Sequence, residues 1–113
     1  MLECALMNAT KANILVVDDE MGPRESLKMI LNPHYNVYTA DRGTQAVEML
    51  KQHCVDLVTL DLKMPGFSGI NVLEKVKQHD RDIEAIIITG YGPLDTAIEG
   101  LRLGAFDCLI GIN

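Results

Sequence analysis

The stretch Val55-Asp56-Leu57-Val58-Thr59-Leu60-Asp61-Leu62-Lys63-Met64-Pro65-Gly66-Phe67-Ser68-Gly69 opens as an apolar run rich in β-branched residues and closes in a Pro-Gly loop. The run reads as a buried strand. Asp61 stands where the strand meets the loop. In an open α/β sheet, ligands collect at the carboxyl ends of the strands, so a carboxylate there is held on a rigid element and faces the ligand. Taken alone, Asp61 reads more readily as a residue that caps a turn.

A second apolar run, Asn13-Ile14-Leu15-Val16-Val17, also leads into carboxylates, Asp18, Asp19 and Glu20. Two parallel strands that both end in Asp bring like charges to one sheet edge. Two such charges about 4 Å apart repel by roughly 4 kcal/mol at an effective dielectric near 20. A cation compensates such a cluster. A site made only of oxygens suits Mg²⁺, which binds through one or two carboxylates, water and a phosphate.

Outward from these two runs the pattern alternates. The first strand is expected at Asn13–Val17 and a helix at Met21–Leu31, with Leu27, Ile30 and Leu31 facing inward. Pro23 near its start costs little, and Asn32-Pro33 ends it. A second strand is expected at Tyr35–Thr39 and a helix at Thr44–His53, with Ala46, Val47 and Leu50 inward. Asp56–Leu60 is the third strand. The helix at Gly69–His79 turns Val72, Leu73 and Val76 inward. Glu84–Thr89 is a fourth strand, apolar on both faces as in the middle of a parallel sheet. Leu94–Leu103 reads as a helix closed by Gly104, and Phe106–Ile110 as a fifth strand. Strands alternating with helices predict an α/β fold, a doubly wound parallel sheet with helices on both faces. In the flavodoxin-like order 2-1-3-4-5, strands one and three lie side by side at the switch point. Asp18, Asp19 and Asp61 then meet.

The chain of 113 residues suffices for one domain. Residues 1–11 read as a leader or tail, and 12–113 as the domain. Apolar content of 48% without a run of membrane-spanning length predicts a soluble globular protein. The amino-terminal residues lack the basic and apolar regions of a signal peptide, so the expected location is the cytoplasm. A net charge of −6 and the lack of a Lys/Arg cluster argue against direct nucleic-acid binding. Cys4, Cys54 and Cys108 show no metal-ligand or redox spacing, and reduced thiols are expected. His34, His53 and His79 lie near element ends and do not converge.

Together, Val16-Val17-Asp18-Asp19-Glu20, Asp61-Leu62-Lys63-Met64-Pro65-Gly66 with Gly69, Ile88-Thr89-Gly90 and Gly104-Ala105-Phe106-Asp107 resemble the receiver domain of two-component response regulators. The resemblance runs from about Lys11 to the end. It implies that Asp61 accepts a phosphoryl group from a phosphohistidine on a sensor histidine kinase or phosphotransfer protein. It also implies that Asp19 binds Mg²⁺ directly, Asp18 largely through water, and Lys63 through its backbone carbonyl. Thr89 would donate its hydroxyl to a phosphoryl oxygen, and Gly90 would leave room beside it. The domain would catalyse only its own phosphorylation and dephosphorylation and would switch a partner or an output domain that this chain lacks. Thr89-Gly90-Tyr91-Gly92 looks like receivers of nitrogen-regulator-type activators or hybrid kinases.

Two departures stand out. The family carries Lys-Pro just after the fifth strand, where this chain reads Gly111-Ile112, and an inward-rotating switch aromatic where it has Cys108. With Asn113 last, the fifth helix is expected to be missing; Gly111-Ile112-Asn113 reads either as a natural divergence or as a truncated end, and truncation is the simpler account of both the helix and the Lys. The apolar surface so bared is expected to be covered by a second chain, as a homodimer, or by an exchanged element. Two other readings compete. A receiver-like module that docks a partner without phosphorylation is favoured by the missing Lys and opposed by the intact aspartates and Thr89. An aspartate-nucleophile phosphatase is opposed by Lys63, where such enzymes place a second Asp.

Overall fold

The computed structural model describes residues 11–61, 69–89 and 107–110, the last four and Thr89 by their backbone. The elements run β1 (Asn13–Val17), α1 (Met21–Leu31), β2 (Asn36–Ala40), α2 (Gly43–Gln52), β3 (Leu57–Leu60), α3 (Gly69–His79), β4 (Glu84–Thr89) and β5 (Asp107–Ile110). The strands form one parallel sheet in the order β2-β1-β3-β4-β5. The α/β reading and its strand order therefore hold. The helix expected at Leu94–Leu103 and the question of a fifth helix lie outside the described residues.

Three boundaries move for local reasons. Tyr35 is not in β2, because its N–H bonds back to the Leu31 carbonyl at 3.0 Å and closes the turn after α1. Asp56 stands just before β3, although its N–H reaches the Asn13 carbonyl at 2.8 Å. Its carboxylate accepts the Asn13 N–H at 2.8 Å. This side-chain bond fastens the foot of β3 to that of β1, where Asn36 Nδ2 also reaches Asn13 Oδ1 at 2.9 Å. Such pairing lets Asn13 stay 1% exposed at little cost. The second helix starts at Gly43 and stops at Gln52 rather than His53, whose ring instead stacks on Tyr38 with centroids 4.0 Å apart.

The main buried cluster among the described residues lies on one side of the sheet, while Ile14 and Val16 are buried on the other. Alternate residues Leu15, Val17, Val58, Leu60, Ala85 and Ile87 pack against Ala46 and Leu50 of α2 and Val72, Leu73 and Val76 of α3. The period of two along the strands meets the helical period of the two helices there. The other side is different: α1 has no buried residue. Ile30, expected to face inward, is 68% exposed, and Met29 is 75% exposed. Leu27 and Leu31 are half-buried. Helical periodicity identified the apolar stripe, but Ile30 lies on its flank, and no described residue covers it. A cavity of about 240 Å³ opens there, lined by Val16, Leu27, Ile30, Thr59 and Ile88, with Asp18 and Asp61 also on its wall.

One expectation is corrected outright. Cys54 is disulfide-bonded, so the three cysteines are not all reduced thiols. Spacing along the chain carries no information on which thiols meet in space. Among the described residues no helix is long and apolar enough to cross a membrane.

Candidate functional site: an acidic cluster at the switch point

Register alone brings the acidic residues together. Val17 pairs with Leu60 across β1 and β3, so the next residue of each strand, Asp18 and Asp61, emerges at the same edge. The main chain continues the ladder by one bond, Asp61 N–H to the Val17 carbonyl at 3.1 Å. On the other flank the Asp18 N–H reaches the Ala40 carbonyl at 3.1 Å. Crossovers run in opposite directions from β1 and β3 here, which leaves the edge open.

Asp18, Asp19 and Asp61 each offer a carboxylate oxygen within 4.8 Å of the others, and all three are half-buried. Asp18 Oδ1 accepts the Glu20 N–H at 2.9 Å. Asp19 Oδ1 is buried and has no hydrogen-bond partner. A buried, unpaired carboxylate oxygen is costly. A divalent cation would satisfy it, and this all-oxygen donor set fits Mg²⁺. Burial pushes the Asp18 carboxyl above its ordinary value, against the Glu20 N–H, and the charges of Asp61 and Asp19 push it further.

The shift has a sign that can be measured. Just above the ordinary carboxylate range the folded state holds a proton on Asp18 that the unfolded state has lost. Stability without metal therefore falls as pH rises through that window. Mg²⁺ held here would compete with the proton for the same oxygens and would favour the folded state, which alone assembles the cluster. The expected result is a melting temperature in chelator that drops as pH rises there, and a Mg²⁺-induced rise that grows with pH. A melting temperature indifferent to millimolar Mg²⁺ at neutral pH would contradict a preformed site.

Thr89 is the last residue of β4, opposite Ile110 of β5, and Cys108 pairs with Ile87. Lys63 and Gly90 lie outside the described residues. The histidines do not join the cluster. Arg24, not singled out by the sequence, does border it: its Nη1 donates to the Asp18 carbonyl at 3.0 Å. A cation six residues after the first Asp, in the first turn of the helix, was the available clue.

Comparison with known proteins agrees with this geometry. A family model described as the response regulator receiver domain matches residues 14–110. The sporulation initiation phosphotransferase F of Bacillus subtilis is 42% identical over 81% of this chain and 75% of its own. The transcriptional regulatory protein ZraR of Escherichia coli is 37% identical over 92% of this chain, which spans only 24% of that protein. Among solved structures, the response regulator protein TrrA of Thermotoga maritima, in complex with Mg²⁺ and beryllofluoride, superposes with a TM-score of 0.78. It is 32% identical and the match covers 89% of this chain and 87% of that one. With the strand order and the acidic edge already in place, the chain belongs to the response regulator receiver domain family.

Proposed function

We propose that Asp61 is the phosphoacceptor of this receiver and that the domain comprises residues 12–113. The observation that carries the reading is the convergence of Asp18, Asp19 and Asp61 at the β1–β3 edge, with a buried orphan oxygen on Asp19. Phosphorylation-based signalling is the business of the family, so a docking module without phosphorylation is not favoured. A carboxylate oxygen of Asp61 attacks phosphorus, the P–N bond of a phosphohistidine breaks, and the imidazole leaves with its electron pair. An aspartyl phosphate remains.

Little covalent chemistry falls to the rest of the site, which positions groups and balances charge. Asp18, Asp19, Asp61 and the Lys63 carbonyl would hold Mg²⁺, which when bound supplies charge neutralisation for the phosphoryl oxygens. The Thr89 hydroxyl donates to one of these oxygens, Gly90 leaves space for them, and Cys108 stands at the switch position on β5. The partners are a sensor histidine kinase or phosphotransfer protein in the cytoplasm and an output domain.

Incubation with a small acyl-phosphate donor and Mg²⁺ tests the reading by intact mass. The expected product carries the mass of one phosphoryl group and loses it to hydroxylamine, which cleaves acyl phosphates. An adduct stable to hydroxylamine, or none at all, would refute it.

A further inference from the structure

Arg24 borders the acidic edge, and the bonds seen for it go to a main-chain carbonyl and to Glu25 rather than to a carboxylate of the cluster. Its side chain is 16% exposed, and its Nε lies 3.8 Å from the Glu25 carboxylate. Its Nη1 holds the main-chain carbonyl of Asp18 at 3.0 Å. Two further bonds close the same turn: Glu20 N–H to Asp18 Oδ1 at 2.9 Å, and Arg24 N–H to the Glu20 carbonyl at 3.2 Å. The chain from Asp18 to Arg24 is therefore tied at both ends.

The held carbonyl matters because of what shares its plane. The C=O of Asp18 and the N–H of Asp19 belong to one planar peptide unit. A donor that fixes the carbonyl fixes the orientation from which the Asp19 side chain departs. Asp19 carries the buried oxygen without a partner, so its direction rests on its backbone rather than on hydrogen bonds of its own at that oxygen. We propose that Arg24 is a positioning residue for the divalent-cation site, holding the Asp18–Asp19 peptide so that the Asp19 carboxylate faces Asp18 and Asp61. The proposal rests on the receiver reading of that site.

Two roles for Arg24 predict opposite signs. As a nearby positive charge it would repel a divalent cation, and its removal would tighten binding. As a clamp it preorganises a ligand, and partners that orient ligands typically cost about 10–100-fold in metal affinity when lost. Ion choice gives a second readout. Mg²⁺ demands near-octahedral geometry, whereas Ca²⁺ accepts flexible arrangements. A misdirected Asp19 therefore weakens Mg²⁺ more than Ca²⁺, while a change of charge alters both alike.

Isothermal titration of wild type, Arg24→Met and Arg24→Lys with Mg²⁺ and with Ca²⁺ tests this, with melting temperatures in chelator to report folding. The expected result is Mg²⁺ binding weakened about 10-fold or more in Arg24→Met, a smaller loss in Arg24→Lys, and a lowered Mg²⁺/Ca²⁺ preference in both. Equal or tighter Mg²⁺ binding by Arg24→Met, or equal losses for the two ions, overturns the proposal. If Arg24→Met is unfolded in chelator, Arg24→Lys decides: its charge is unchanged, so wild-type affinity and preference there overturn it. A wild-type protein that binds neither ion refutes the metal reading itself, which is a separate outcome.

Discussion

Asp61→Asn is expected to abolish phosphoryl incorporation from a small donor, to below the detection limit of intact mass, while leaving the fold in place. The amide is nearly isosteric with the carboxylate but is not a nucleophile toward phosphorus. The backbone bond that seats the residue, Asp61 N–H to Val17 carbonyl, survives the change. Removing one of three mutually repelling charges should also relieve the edge, because the Asp61 charge helps raise the Asp18 carboxyl. In chelator the variant is therefore expected to melt no lower than wild type, and its Asp18 to titrate closer to the ordinary range. Phosphate uptake equal to wild type would move the acceptor to another carboxylate. Asp19→Asn is the informative comparison, because it should retain the nucleophile and lose the Mg²⁺ response.

The parts of this molecule that the sequence makes legible are those written in side-chain periodicity. The bounds expected for the first strand, the first and third helices and the fourth strand, Asn13–Val17, Met21–Leu31, Gly69–His79 and Glu84–Thr89, are those observed. The two helices carry an apolar stripe at helical spacing, and the two strands are short apolar runs bounded by polar residues. The meeting of Asp18 with Asp61 was legible too, since it follows from strand order and a shared register. What escaped depends on the third dimension. Ile30 fits the inward stripe of α1, but a stripe does not say how wide its cover is. The disulfide of Cys54 joins residues that spacing cannot relate. Arg24 escaped because its partner is a backbone carbonyl, which every residue possesses.

The uneven packing of the two faces of the sheet sets the second large effect. Leu15 is 0% exposed in the middle of β1 and belongs to the cluster shared with α2 and α3. Leu15→Ala removes buried methyl groups where neighbours on three elements cannot all close in, which typically costs about 2–5 kcal/mol. That is a large fraction of the roughly 5–15 kcal/mol that holds a domain together. Ile30 has the same hydrophobic character but is 68% exposed on α1. Surface substitutions of that kind usually stay within about 0.5 kcal/mol. Urea denaturation of the two variants separates these cases, with the midpoint of Leu15→Ala displaced strongly and that of Ile30→Ala hardly at all. A loss at Ile30 matching that at Leu15 would show that α1 is covered in solution. Its dependence on protein concentration would then tell a cover supplied by a second copy from one supplied within the chain.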